Sequence, residues 1–174
     1  MPRSWVRMNA RIETVIDNSH KLEQANTFFR NTDVLVGVPA QKAPRSYAEA
    51  KVKGLPINNA ALGYIHNYGL PTRNIPARPF MEPGIRNAQS QVVKFLRAAA
   101  DQAIQGNRDG VRKNFIAAGT AAQTAIKMKI NTGPFVPLAE STLEARRRHG
   151  RTGTRPLIDT AQLRNSINFV VRMK

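Results

Sequence analysis

The chain has no cysteine, which excludes disulfides, thiolate nucleophiles and Cys-ligated metals. Carboxylates are scarce: Asp and Glu together number 11, and the closely spaced acidic pairs of a metal-dependent nuclease are missing. The three histidines, His20, His66 and His149, lie far apart, none at a metal-ligand spacing. Aromatics make up only 6%, which argues against a surface that stacks or reads bases. No apolar run approaches the roughly 18 residues of a membrane span. The opening Met1-Pro2-Arg3-Ser4-Trp5-Val6-Arg7 has no signal-peptide core. The expectation is a protein made in a cytoplasm, without a membrane partner. No G-x-S-x-G elbow, Walker loop or G-x-G-x-x-G fingerprint occurs. Gly150-Arg151-Thr152-Gly153-Thr154-Arg155 could cradle a phosphate through backbone N–H groups, but it lacks the Lys-Ser/Thr ending of a nucleotide loop. The expectation is therefore no enzyme, no catalytic residue, no cofactor and no metal.

What the chain has is apolar material and positive charge. Its 174 residues are 41% hydrophobic, and a single domain of this size buries roughly 70% of the surface its unfolded chain exposes. One domain over residues 1–174, with a peripheral arm, is expected. The formal net charge is +16, which attracts polyanions and opposes compaction. Between Thr142 and Lys174 eight basic residues face two acidic ones. That stretch suits DNA or an acidic protein neighbour, and the plainer reading is a solvated face.

Periodicity places the elements. Ile12, Val15, Ile16, Leu22 and Phe29 suggest a helix over 9–29. Val34-Leu35-Val36-Gly37-Val38 reads as a buried strand closed by Pro39. Residues 40–59 read as an extended arm or long loop with a strand near 46–52, and such segments usually serve binding or assembly. A short helix over 58–68 stops at Gly69. Ile85, Ala88, Val92, Leu96, Ala99 and Ala103 mark a long helix over 83–105. Val111, Phe115, Ala118, Ala122 and Ala125 mark another, ending before Asn131. Two capping boxes, Ser141 with Glu144 and Asp159 with Gln162, start short helices. Between these boxes, within a basic region over 131–158, Arg148 to Pro156 reads as a flexible loop with no apolar anchor, ordered only against a partner. The chain closes on a strand, Ile167-Asn168-Phe169-Val170-Val171. Strands at both ends with helices between them predict an α+β fold, an antiparallel sheet packed with helices.

Two stretches carry more than composition. The first is Ala60-Ala61-Leu62-Gly63-Tyr64-Ile65-His66-Asn67-Tyr68-Gly69, then Asn74-Ile75-Pro76-Ala77-Arg78-Pro79-Phe80-Met81. The second is Pro137-Leu138 with Ser141-Thr142-Leu143-Glu144-Ala145-Arg146, continuing to Pro156-Leu157-Ile158-Asp159-Thr160-Ala161-Gln162-Leu163-Arg164-Asn165-Ser166-Ile167. In order and spacing these resemble the virion-morphogenesis and tail-completion proteins of tailed bacteriophages, the Mu-like head–tail joining group included. The resemblance runs from Asn59 to the C-terminus, about two thirds of the chain, and is loose over the arm.

The resemblance implies a noncatalytic structural protein of the virion neck or head-proximal tail. It would form a homo-oligomeric, hexameric ring between connector or stopper proteins and the tail tube protein, around a channel for genome DNA. The residues add candidates of their own. Pro76 and Pro79 fix φ and remove donors, so the segment is stiff; it would hold Phe80 and Met81 on the core and project Arg78. With His66 these residues are expected to set assembly geometry. Arg146, Arg147, Arg148, Arg151 and Arg155 are expected to face a protein partner or DNA. The alternative function is nonspecific nucleic-acid binding, in which the same arginines neutralise phosphate.

Overall fold

The computed structural model describes residues 19–44, 51–52 and 55–174. The 9–18 part of the helix expected over 9–29, most of the strand near 46–52 and the centre of the arm lie outside the described residues.

Two long helices form the body. The first, α3 (Met81–Ile104), turns through Gly106 into α4 (Arg108–Thr132). Gly106 has φ 74, a left-handed value that glycine adopts without steric cost. Asn107 then accepts from Gly110 N–H at 3.0 Å and caps α4. Along α4, Val111, Phe115, Ala118, Ala122, Ile126 and Ile130 are buried at steps of three and four. This is the predicted stripe without Ala125, which is half-buried; Ile126 and Ile130 take its place, and the helix runs to Thr132 rather than ending before Asn131. The helices touch closely where α3 has Gly84: a Cβ there would stand 2.7 Å from Ile126 Cα.

Before this pair come α1 (Ser19–Arg30), β1 (Thr32–Gly37), a 3-10 turn (Ala40–Lys42) and the short strands β2 (Lys51–Val52) and β3 (Leu55–Pro56). Next come α2 (Asn59–Tyr68) and a 3-10 turn (Pro71–Arg73). After the pair follow α5 (Glu140–Arg148), α6 (Gln162–Ser166) and β4 (Asn168–Met173). The first and last described strands pair antiparallel, from Thr32 opposite Met173 to Gly37 opposite Asn168. The fold is α+β and mostly helical, with α4 packed on this sheet.

Alternation along the strands decides what each face does. Val34 and Val171 pack against a core of Ala99, Val111 and Phe115, joined by Phe28 and Phe29. The Phe115 ring stacks on Phe28 at 6.2 Å and meets Phe29 edge-on at 5.4 Å. A second core gathers Phe80, Ile126, Ile130, Leu157, Leu163 and Ile167. The opposite strand face carries Leu35 against Val170, 46% and 42% exposed. This corrects the reading of residues 34–38 as a buried strand: a two-stranded sheet with helix on one side leaves its other side in water.

Both capping boxes are also corrected. The chain is already helical at Glu140, with Ala139 as N-cap and no side-chain capping bond, so Ser141 falls inside the first turn. The helix after Asp159 begins only at Gln162, behind Ala161 at φ 60, because arginines engage the Asp159 carboxylate instead.

Candidate functional site

The two motif stretches make four segments, 60–69, 74–81, 137–146 and 156–167. The first, second and fourth give residues to the second core, and the third lies beside it through Leu138 and Arg146. Asn58 caps α2 through its side chain, 2.8 Å from Ala61 N, and Gly69 closes it at φ 81. Alanine would not fit at Gly69, because a Cβ would stand 2.8 Å from Ala77 N. Near the end of α2, buried Asn67 accepts through Oδ1 from Phe80 N at 3.0 Å and Met81 N at 3.1 Å. Those are orphan donors at the start of α3, where Phe80 supplies no cap of its own. One helix thus caps another across the fold.

The segment from Ile75 to Phe80 forms no helix, in keeping with its two prolines, and its residues separate inward and outward. Pro76, Ala77 and Pro79 are exposed, whereas Arg78 and Phe80 are buried. Phe80 lies fully inside the core, as expected. Arg78 does the opposite of what was expected. It does not project; its Nε donates to Val136 O at 2.9 Å and its Nη2 to Pro137 O at 3.0 Å. Its backbone N–H donates to His66 O at 2.7 Å. Desolvation pulls the Arg78 guanidinium below its usual value, and hydrogen bonds to two carbonyls offset that burial. The stiff segment therefore clamps the connection between α4 and α5.

The arginine cluster divides. Arg146 is buried and turned inward, a correction to its outward-facing expectation. Its Nη1 donates to Gly153 O at 2.7 Å and to Arg155 O at 3.0 Å, and its Nε lies 3.5 Å from Asp159 Oδ1. Its own carbonyl accepts from His149 N at 3.0 Å and Arg151 N at 2.9 Å. One residue organises the whole turn from 149 to 155, so this segment is folded by the chain itself. Leu157 supplies the apolar anchor the sequence reading missed; it is buried although its φ is 64. Arg151 is half-buried and bonds Asp159 Oδ2 at 2.5 Å. Arg147 is exposed and pairs with Glu140 at 2.8 Å. Arg148 and Arg155 are exposed and keep the expected outward position.

These groups border a recess of about 400 Å³. Leu62, Leu138, Leu157 and Leu163 give it aliphatic surface, and His66, His149, Arg146, Arg151 and Asp159 give it polar surface. His66 thus contributes twice, through its carbonyl to Arg78 and through its ring to the recess. Among the described residues no group of three His, Asp or Glu side chains could hold a metal ion. No helix among them is long and apolar enough to cross a membrane.

No family model matches the chain, and no solved structure matches it. The chain is similar to an uncharacterized protein of Methanocaldococcus jannaschii, 35% identical over 71 residues. The similarity covers 38% of this chain and 53% of that protein, so the chain spans about half the length of the curated relative it matches.

Proposed function

We propose that this is a noncatalytic structural protein of a tailed-phage virion, which completes the tail and joins it to the head connector. The observation that carries the reading is the interlocking of the four motif segments. Asn67 of the first bonds Phe80 and Met81 of the second. Arg78 of the second holds Pro137 of the third. Arg146 of the third pairs with Asp159 of the fourth. A subunit that must repeat the same contacts around a ring needs surfaces held in fixed relation, and this framework fixes them through hydrogen bonds between distant parts of the chain.

The exposed surface supports the same reading. Tyr64 and Tyr68, 67% and 66% exposed, lean together on α2 with ring centroids 4.8 Å apart. Exposed aromatic pairs are typical interface anchors. Copies would meet head to tail through different patches and close by rotation into a hexameric ring. The charge of +16 suits a channel that passes DNA without reading it. Nonspecific nucleic-acid binding is the second reading, favoured by the exposure of Arg148 and Arg155.

The test is assembly in cells where the phage gene is replaced by a variant with Pro76→Ala and Pro79→Ala. Expected are headless tails or tailless heads, with antibody label on wild-type particles at the neck. Wild-type particles free of label would refute the reading. If the virion role fails while duplex affinity falls steeply with salt, the nucleic-acid reading takes its place.

A further inference from the structure

The recess beside α5 has chemistry beyond what the framework uses. Asp159 stands between two guanidiniums of different character. The Arg146 side chain is 10% exposed and its Nη1 is committed to two backbone carbonyls. The Arg151 side chain is 35% exposed and its Asp159 partner 37%. This outer pair is wet enough that its net worth is small, so Arg151 can exchange one carboxylate for another at little cost. The backbone around it is strained. Leu157 and Ala161 have φ 64 and 60, which is costly for residues with a Cβ, and such strain collects at binding sites. Both border the recess.

We infer that this recess receives a carboxylate side chain presented by an acidic segment of a partner protein. The incoming carboxylate takes Arg151 from Asp159, and its aliphatic stem lies on Leu138 and Leu157. The internal Asp159 shows the fit, since it is a chain-borne carboxylate seated between the same two arginines. Exposed Arg148 and Arg155 nearby add positive charge that steers an acidic segment inward. A nucleic-acid backbone suits the recess poorly. Its cationic groups sit in a hollow rather than along a ridge, and Asp159 places a negative charge among them. A flexible peptide can insert one side chain where a stiff duplex cannot follow. The inference rests on the assembly reading only for the partner being another virion protein.

The experiment uses the full chain, titrated with a hexaglutamate peptide, with inorganic phosphate and with an unrelated DNA duplex, followed by calorimetry and NMR. Expected is peptide binding that shifts the His149 and Arg151 side-chain signals. Arg151→Gln should weaken it roughly tenfold, the effect of losing one charge-assisted hydrogen bond. Arg155→Gln, outside the recess, should change it less than about twofold, as a surface charge does. Asp159→Asn should tighten binding, because the internal competitor is gone; a thermal melt checks that each variant folds. Equal losses from Arg151→Gln and Arg155→Gln would overturn the inference. So would phosphate or duplex occupying the same residues more tightly than the peptide, or no shift at His149 and Arg151. The assay contains no phage. Its failure leaves the assembly reading standing, and particles free of label leave peptide binding measurable.

Discussion

Replacing Arg146 by alanine should cost far more than replacing Arg147, its neighbour in α5, although the sequence offers no way to rank them. Arg146 donates to Gly153 O and Arg155 O and pairs with Asp159. Hydrogen bonds to a charged group contribute about 1.5–3 kcal/mol each. Gly153 and Arg155 are exposed residues whose carbonyls water can partly satisfy, so the two bonds together contribute about 3 kcal/mol, the low end. Asp159 keeps Arg151 as a partner, so the ion pair adds little. At this chain length 1 kcal/mol moves the melting temperature by about 2–4 °C, which places Arg146→Ala about 6–12 °C below wild type. Arg147 and Glu140 form an exposed pair, 59% and 65% exposed, worth about 0.2–1 kcal/mol. Arg146→Lys should retain most of the loss, because one ammonium cannot do at once what Nη1 does at two carbonyls and Nε does at Asp159. Thermal and urea unfolding of the three variants is the assay. Arg146→Ala and Arg147→Ala melting within about 1 °C of each other would refute the framework role.

Gly119→Ala should destabilise the fold by about 1–3 kcal/mol, because a Cβ there would overlap the Phe169 ring across the α4–sheet contact. The gain of about 1 kcal/mol in helix propensity does not offset it, and urea unfolding measures the balance. Asn67→Ala should cost about 1–2 kcal/mol by uncapping α3, and faster amide exchange at Phe80 and Met81 would identify the cause. Asp33 is held below its usual 3.8 by hydrogen bonds from Lys174 and then Arg172. A depressed folded value stabilises above the unfolded pKa and is lost as pH falls through the folded one. The stability gap between wild type and Asp33→Asn should therefore close below 3.8; a gap unchanged by acid would exclude the assigned charge contacts.

Local signals were sufficient where the physics is local. The spacing of Val111, Phe115, Ala118 and Ala122 defined α4, and Asn58 and Gly69 bounded α2. Paired prolines kept 76–79 out of the following helix, and alternation marked the closing strand. Even so, residues 34–38 carry the composition of a buried strand, and only the small size of the sheet leaves Leu35 in water. Burial depends on what lies opposite, which periodicity does not record.

The candidate site shows the same division. Sequence alone determined the residue set: the prolines, Phe80, His66 and the run of arginines, together with the order in which they occur. Only the tertiary structure decided direction. Arg78 and Arg146 look like solvated cations in sequence, because a long charged side chain is usually exposed. Each is instead drawn inward by backbone carbonyls, Arg78 by two that lie more than fifty positions away. The Asp159 capping box failed for a related reason: its carboxylate has a stronger partner in arginine than in a backbone N–H. A short-range pattern lists what a side chain could bond nearby, and the fold then supplies competitors from afar.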